Sequence, residues 1–367
     1  MSHKILEVLI PTYRRPHAAI GAIDSVLASD NPNVSAFCHS NGTEPELEIA
    51  AALRPQLRYA YFPENRGAVA NFRKMLEDSD ATYVLFLSDE DRIDPNLLDK
   101  FIDYLSQNKH GFVMCSVVES TGASYFSVAA LDAETLSFKD LITLFTASPT
   151  YLSGYCFRRD LLNDDALNLA FDANAANVYP HLILRNVISK NTSVGVFGPG
   201  IIIKGAEAST GGDSHGHVKS NINSKQRVEQ QKLNPSIYGE KARIQQFHYL
   251  LPKLSTHWKN LTWYRRLVVQ IYILGSWLNT TSDAYKHVDT TATKPAGNEC
   301  KVDYQNPNIQ FDTLSITYTY LLNIKKPKLK SVLVHSIWNL SKFAKLTLFI
   351  QRFGIRKTFY FIKNKSS

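Results

Sequence analysis

The sequence has no paired cysteines, and that lack narrows its chemistry early. Its four cysteines, Cys38, Cys115, Cys156 and Cys300, are widely scattered, with no Cys-x-x-Cys pair among them. Two of them sit inside apolar, strand-like runs. Buried free thiols in a reducing compartment are therefore expected, and a zinc site is not. Long apolar runs are missing too, since none reaches the roughly 18 residues needed to span a bilayer. The stretch Met1-Ser2-His3-Lys4 leads straight into a strand pattern, so no signal peptide is expected. No internal repeat is evident. Acidic residues are absent after Asp312, whereas 11 of the 41 Lys and Arg fall between Lys325 and Lys365. The rest of the chain carries 30 basic against 33 acidic residues, so the net charge of +8 belongs to the tail. A chain basic throughout would suggest nucleic acid, which is not an expected partner here. A basic, aromatic-rich tail suggests an anionic surface instead.

What is present is ordinary for a globular protein, with 44% apolar and 20% charged residues in 367. The first segment alternates strand and helix patterns. Strands are expected at Ile5 to Ile10, Val34 to Cys38, Leu57 to Phe62 and Tyr83 to Leu87. Helices are expected at Pro16 to Leu27, Glu44 to Leu53 and Ala68 to Glu77. This order predicts an α/β fold whose largely parallel sheet is covered on both faces, with ligands at the carboxyl ends of the strands. Further strands are expected at Gly111 to Val118, Leu152 to Phe157 and Val194 to Ile203. Three regions follow: an α/β domain over residues 1–224, a helical extension over 225–324, and a basic amphipathic tail over 325–367.

The strongest chemical signal is Ser88-Asp89-Glu90-Asp91, directly after the strand-like run Tyr83-Val84-Leu85-Phe86-Leu87. In an extended segment alternate residues point the same way, so Asp89 and Asp91 are expected to converge while Glu90 faces elsewhere. Two convergent carboxylates at a sheet edge repel unless a cation or charged ligand sits there. Hard oxygen donors suit Mg²⁺ or Mn²⁺, which would in turn hold a diphosphate. Helix capping, the plainer use of such carboxylates, is better attached to Asp94 before Pro95. Asn65-Arg66-Gly67 places a glycine where backbone can pass close to a ligand, ahead of a helix N-terminus that favours anions. Arg66 is either a phosphate contact or a solvated loop residue.

Together, Val8-Leu9-Ile10-Pro11-Thr12-Tyr13-Arg14-Arg15-Pro16, Asn65-Arg66-Gly67-x-x-x-Asn71-Phe72 and Ser88-Asp89-Glu90-Asp91 resemble family 2 glycosyltransferases of the glycosyltransferase-A fold. The combination is similar to the abequosyltransferase-like branch of bacterial O-antigen and capsule enzymes, and it covers roughly residues 4 to 205. The resemblance implies an inverting transferase that uses Mn²⁺ or Mg²⁺ and a nucleotide-sugar. It places Pro11, Thr12, Tyr13, Arg15, Ser40, Asn41, Asn65, Arg66, Gly67, Asn71, Asp89 and Glu90 around that donor. It makes Asp91 a metal ligand and Asp89 a contact to ribose or metal-bound water. A late histidine, His215 or His217 in the glycine-rich stretch Lys204 to Ser224, is implied as a further ligand.

The sequence departs from that pattern twice. The stretch Phe37-Cys38-His39-Ser40-Asn41-Gly42 has no carboxylate before Glu44 to accept from the N3–H of uracil. Ser40 or Asn41 suits cytosine at least as well, so UDP-, dTDP- and CDP-sugars all stay open. No Glu-Asp pair opens the helix after the acceptor-side strand. His181, in Tyr179-Pro180-His181-Leu182, and Asp172 are the two candidate general bases, and neither is a third option. In the tail, Leu333, Ile337, Leu340, Ala344 and Leu348 can share one helical face among interfacial aromatics. The tail is expected either to lie on the inner face of the cytoplasmic membrane, near a lipid-linked oligosaccharide acceptor, or to pack on the domain. A sugar-1-phosphate nucleotidyltransferase is disfavoured because no Gly-x-Gly-x-x-x-Arg loop follows the first strand. A non-catalytic membrane-surface protein is the remaining alternative.

Overall fold

The computed structural model describes residues 4–129, 134–145, 151–172, 174, 177–205 and 240–262, with scattered positions in 265–274 and 336–343. Strand β1, Leu6–Thr12, is buried along all seven residues and forms the middle of the sheet. It is followed by α1 (Pro16–Leu27), β2 (Val34–Ser40), α2 (Pro45–Ala52), β3 (Leu57–Tyr61), α3 (Ala68–Asp78) and β4 (Tyr83–Phe86). Each unit returns the chain to the same edge, so β2, β1 and β4 pair in parallel, with β3 outside β2. The prolines that open α1 and α2 occupy first-turn positions, where the missing N–H costs nothing.

The second half is mixed. It comprises β5 (Arg92–Ile93), α4 (Pro95–Gln107), β6 (Phe112–Glu119), β7 (Ser124–Phe126), β8 (Thr135–Leu136), α5 (Phe138–Leu144), β9 (Tyr155–Arg158), α6 (Asp164–Ala170), α7 (Pro180–Ser189) and β10 (Val194–Lys204). Strand order is β3-β2-β1-β4-β9-β6-β10-β5, with β7 beside β6 and β8 beside β10. Only β9 runs against its neighbours on both sides, while β6 and β10 are parallel. The carboxyl ends of β1 to β4, β6 and β10 therefore share one edge. The expected α/β class with a mainly parallel, helix-flanked sheet holds. Asp94 caps α4 by accepting from Asn96 N at 3.0 Å, as its position before Pro95 implies.

Two apolar clusters cover the two faces. One gathers β-strand residues with α1 and α4, including Ala19, Ile23, Val26, Leu98 and Phe101. The other includes α7 residues and continues into α8 (Glu240–Ser255) through Phe247, Leu250, Leu251 and Leu254. Part of the expected helical extension thus shares a core with the sheet. From the tail, Ile337 packs against this cluster, while Leu340 and Phe343 are exposed. Among the described residues no helix is long and apolar enough to cross a membrane.

Candidate active site

The loops after β1, β2, β3 and β4 meet at the carboxyl edge. After β4 the chain does not stay extended. Asp91 N donates to Ser88 O at 2.9 Å, closing a turn over residues 88–91. A turn, not the two-residue alternation of a strand, therefore sets where Asp89 and Asp91 point. The two carboxyl groups are both fully buried but face different partners. Asp89 turns towards β1, where Thr12 Oγ1 donates to its Oδ2 at 2.7 Å and the Arg15 guanidinium pairs with Oδ1. Glu90 does not face elsewhere either, since it shares Arg15 at 3.0 Å. Asp91 turns towards the other half of the sheet. Its Oδ1 accepts from Tyr151 Oη at 2.6 Å and Gly205 N at 3.0 Å, and its Oδ2 accepts from Ser153 Oγ.

Burial raises the Asp89 carboxyl above its ordinary value, with Arg15 and Thr12 opposing and Asp91 adding to the rise. Glu90 is raised in the same way, first by burial and then by its two acidic neighbours, against Arg15. Burial and the Asp91 carboxyl push the Tyr151 phenol up, so Tyr151 stays a donor. Arg92 donates to the carbonyls of Glu90 at 3.2 Å and Asp91 at 2.7 Å, which braces the turn from below.

The turn offers three carboxyl groups beside only two guanidinium groups, and the donors are hard oxygens. That chemistry fits a divalent cation, which proteins commonly hold through one or two carboxylates completed by ligand phosphates. The site is not a ready-made cage, because no three His, Cys, Asp or Glu side chains among the described residues converge as a metal site. Arg15 now supplies the positive charge. His215 and His217 lie outside the described residues.

Asn41 follows β2 and hydrogen-bonds in both directions. Its Nδ2 donates to Asn65 Oδ1 at 2.7 Å, and its Oδ1 accepts from Arg66 N at 2.8 Å. Asn65 Oδ1 also accepts from Gly67 N at 2.8 Å. Both ends of the Asn41 amide thus help to shape the Asn65-Arg66-Gly67 loop. Gly67 has φ 85°, a left-handed conformation that a side chain would strain. Asn71, 2% exposed, donates to His39 O at 3.0 Å and braces α3 on β2. The Ser40 hydroxyl is buried at the end of β2 with no partner among the described residues. At the end of β1, Pro11 and Thr12 are buried, and Tyr13 lies beside Gly42. Arg14 adopts φ 56°, and Glu44 steadies it by accepting from its N–H at 2.7 Å.

The two candidate bases are held elsewhere. His181, 3% exposed in the first turn of α7, packs edge-on against Tyr155 at 4.8 Å and Tyr179 at 6.0 Å. Asp172 accepts from Lys253 Nζ at 2.7 Å, from Tyr249 Oη and from Asn174 N at 3.2 Å. Partial burial raises the Asp172 carboxyl, but these hydrogen bonds outweigh it and hold the group below its ordinary value. Through these bonds Asp172 latches α8 to the segment before α7.

Tyr151, Ser153 and Gly205 escape sequence reasoning as site residues. Tyr151 and Ser153 are two residues apart just before the turn at Gly154, whose φ is 92°, and that spacing is the one available signal. Gly205 has none, although a side chain there would meet Glu90 O at 1.8 Å.

The chain is similar to several known proteins. The family model described as Glycosyl transferase family 2 matches residues 7–165. A putative colanic acid biosynthesis glycosyl transferase, WcaA of Escherichia coli (strain K12), is 25% identical over 135 residues, covering 35% of this chain and 48% of the relative. A putative teichuronic acid biosynthesis glycosyltransferase, TuaG of Bacillus subtilis (strain 168), is 24% identical over 112 residues, covering 29% and 44%. The chain thus spans about half the length of the curated relatives it matches. Among solved structures, the mannosyltransferase PcManGT from Pyrobaculum calidifontis in complex with GDP-Man and Mn²⁺ superposes with a TM-score of 0.47. It is 11% identical, covering 94% of this chain and 88% of that one.

Proposed function

We propose that the chain moves a sugar from a nucleotide-sugar to a glycan acceptor in bacterial surface-polysaccharide synthesis, a reading supported by the match of the Glycosyl transferase family 2 model to residues 7–165. The observation that supports it most is the buried carboxyl turn 88–91, set at the edge where the loops after β1, β2 and β3 also meet. In this reading Thr12 and Ser40 face the nucleoside, and Asp89 and Asp91 face the diphosphate. The loop shaped by Asn41 presents Arg66 and the N-terminus of α3 to the same anion. Mn²⁺ or Mg²⁺, held by Asp91 and Asp89 with the donor's own phosphate oxygens, would neutralise the charge of the departing nucleoside diphosphate.

Transfer with inversion needs a base at the acceptor hydroxyl. We assign it to neither His181, packed against Tyr155 and Tyr179, nor Asp172, whose carboxylate is bound by Lys253 and Tyr249. The acceptor in this reading is lipid-linked, and the basic tail rests on the inner membrane surface that carries it. The test is release of free nucleoside diphosphate from a panel of UDP-, dTDP-, CDP- and GDP-sugars with and without Mn²⁺. One sugar should be turned over, and only with the metal. No turnover across the panel, in the presence of crude lipid-linked acceptor, counts against the reading.

A further inference from the structure

We propose that Tyr125, backed by Tyr151, forms an aromatic shelf that seats a pyranose ring of the acceptor; this rests on the transferase reading above. Strand β7 carries Tyr125 and pairs with the last residues of β6, Val117 and Val118. That places it at the same sheet edge as the acidic turn but on the side away from the β2 and β3 loops. The Tyr125 and Tyr151 rings lie 5.1 Å apart, and Tyr151 Oη is bonded to Asp91. Lys204 Nζ sits 4.8 Å from the Tyr125 ring, and the next residue, Gly205, donates its N–H to Asp91. Tyr125, Tyr151, Asp91, Gly205 and Lys204 thus close a ring of contacts that ties the shelf to the site.

Despite those neighbours Tyr125 stays 41% exposed. An aromatic ring fixed in place yet open to solvent offers an electron-rich face. The axial C–H groups of a pyranose, which carry partial positive charge on an apolar face, match it. One ring of separation from Asp91 suits an acceptor sugar lying next to the transferred one. The ligand class is therefore a neutral pyranoside stacked on the ring, with no requirement for the phenol hydroxyl.

The experiment uses the full chain and a panel of p-nitrophenyl pyranosides, observed by saturation-transfer difference NMR with UDP and Mn²⁺ present. At least one pyranoside should receive saturation at its ring protons from the wild-type protein. Tyr125→Ala should lower that signal at least five-fold, and Tyr125→Phe should keep it, with melting temperatures of both variants near wild type. The thermal shift given by the nucleotide should be the same in all three. An equal signal in Tyr125→Ala, loss in Tyr125→Phe, or no pyranoside contact in the wild type would overturn the shelf. Failure of the wild type to bind any nucleotide would instead overturn the transferase reading.

Discussion

The two halves of the sheet build the site by different routes. In the half made of β3, β2, β1 and β4, consecutive strand–helix units run parallel, so each loop at the carboxyl edge directly follows its own strand. In the half made of β9, β6 and β10, the antiparallel β9 reverses the direction and distant segments are brought together. The acidic turn lies at the seam. Asp89 and Glu90 belong to the first half through Thr12 and Arg15, and Asp91 belongs to the second through Tyr151, Ser153 and Gly205. A single four-residue turn therefore couples the loops of one half of the sheet to those of the other.

Substitutions on either side separate the two halves. The largest effect is expected at Arg15, the cation now seated on Asp89 and Glu90. Arg15→Met leaves a fully buried carboxyl unpaired, and breaking such a pair costs about 3–5 kcal/mol. The variant should melt earlier without metal, recover with Mn²⁺, and bind Mn²⁺ at least ten-fold more tightly in an electron-spin-resonance titration. Unchanged or weaker Mn²⁺ binding would show that Arg15 does not hold the cation's place.

A smaller effect is expected at Asn41, whose amide makes two hydrogen bonds, each worth about 0.5–1.5 kcal/mol. Asn41→Ala should raise the donor KM at least roughly five-fold, the low end of those two energies together, and leave kcat nearly unchanged. A fall in kcat with KM constant would place Asn41 nearer the chemistry than a loop brace.

The smallest effect lies on the far side, at the Lys253–Asp172 latch. Such a partly exposed pair contributes about 0.2–1 kcal/mol. Because Asp172 is held below its ordinary value, its contribution is present above the ordinary carboxyl range and fades as pH falls through the folded value. Lys253→Ala should therefore lower the melting temperature at pH 7 and converge with wild type in strong acid, while donor turnover stays the same.

The difference between the halves also explains what the sequence made legible. Strands β1 to β4 and helices α1 to α3 are readable within a residue or two, because a parallel, doubly covered sheet imposes apolar runs bounded by Pro and Gly. The acidic turn was legible as carboxylates at the carboxyl edge for the same reason, since they follow directly on a buried strand. Its internal geometry was not, because whether residues 88–91 continue as strand or close a turn depends on Ser88 O and on Ser153, 65 residues away. The role of Asn41 was hidden likewise, as its partners Asn65 and Arg66 arrive from the next strand loop. Asp172 reads as a free acid in sequence because Lys253 and Tyr249 come from α8.

Asp91, at the seam, is the residue proposed to hold a divalent cation together with the donor diphosphate. Isothermal titration of the wild-type chain and of Asp91→Asn with the nucleoside diphosphate of the active donor, with and without Mn²⁺, tests it most directly. Wild-type binding should tighten at least ten-fold when Mn²⁺ is present, and Asp91→Asn should bind equally weakly in both conditions. A metal-dependent gain in Asp91→Asn as large as in the wild type would contradict the account.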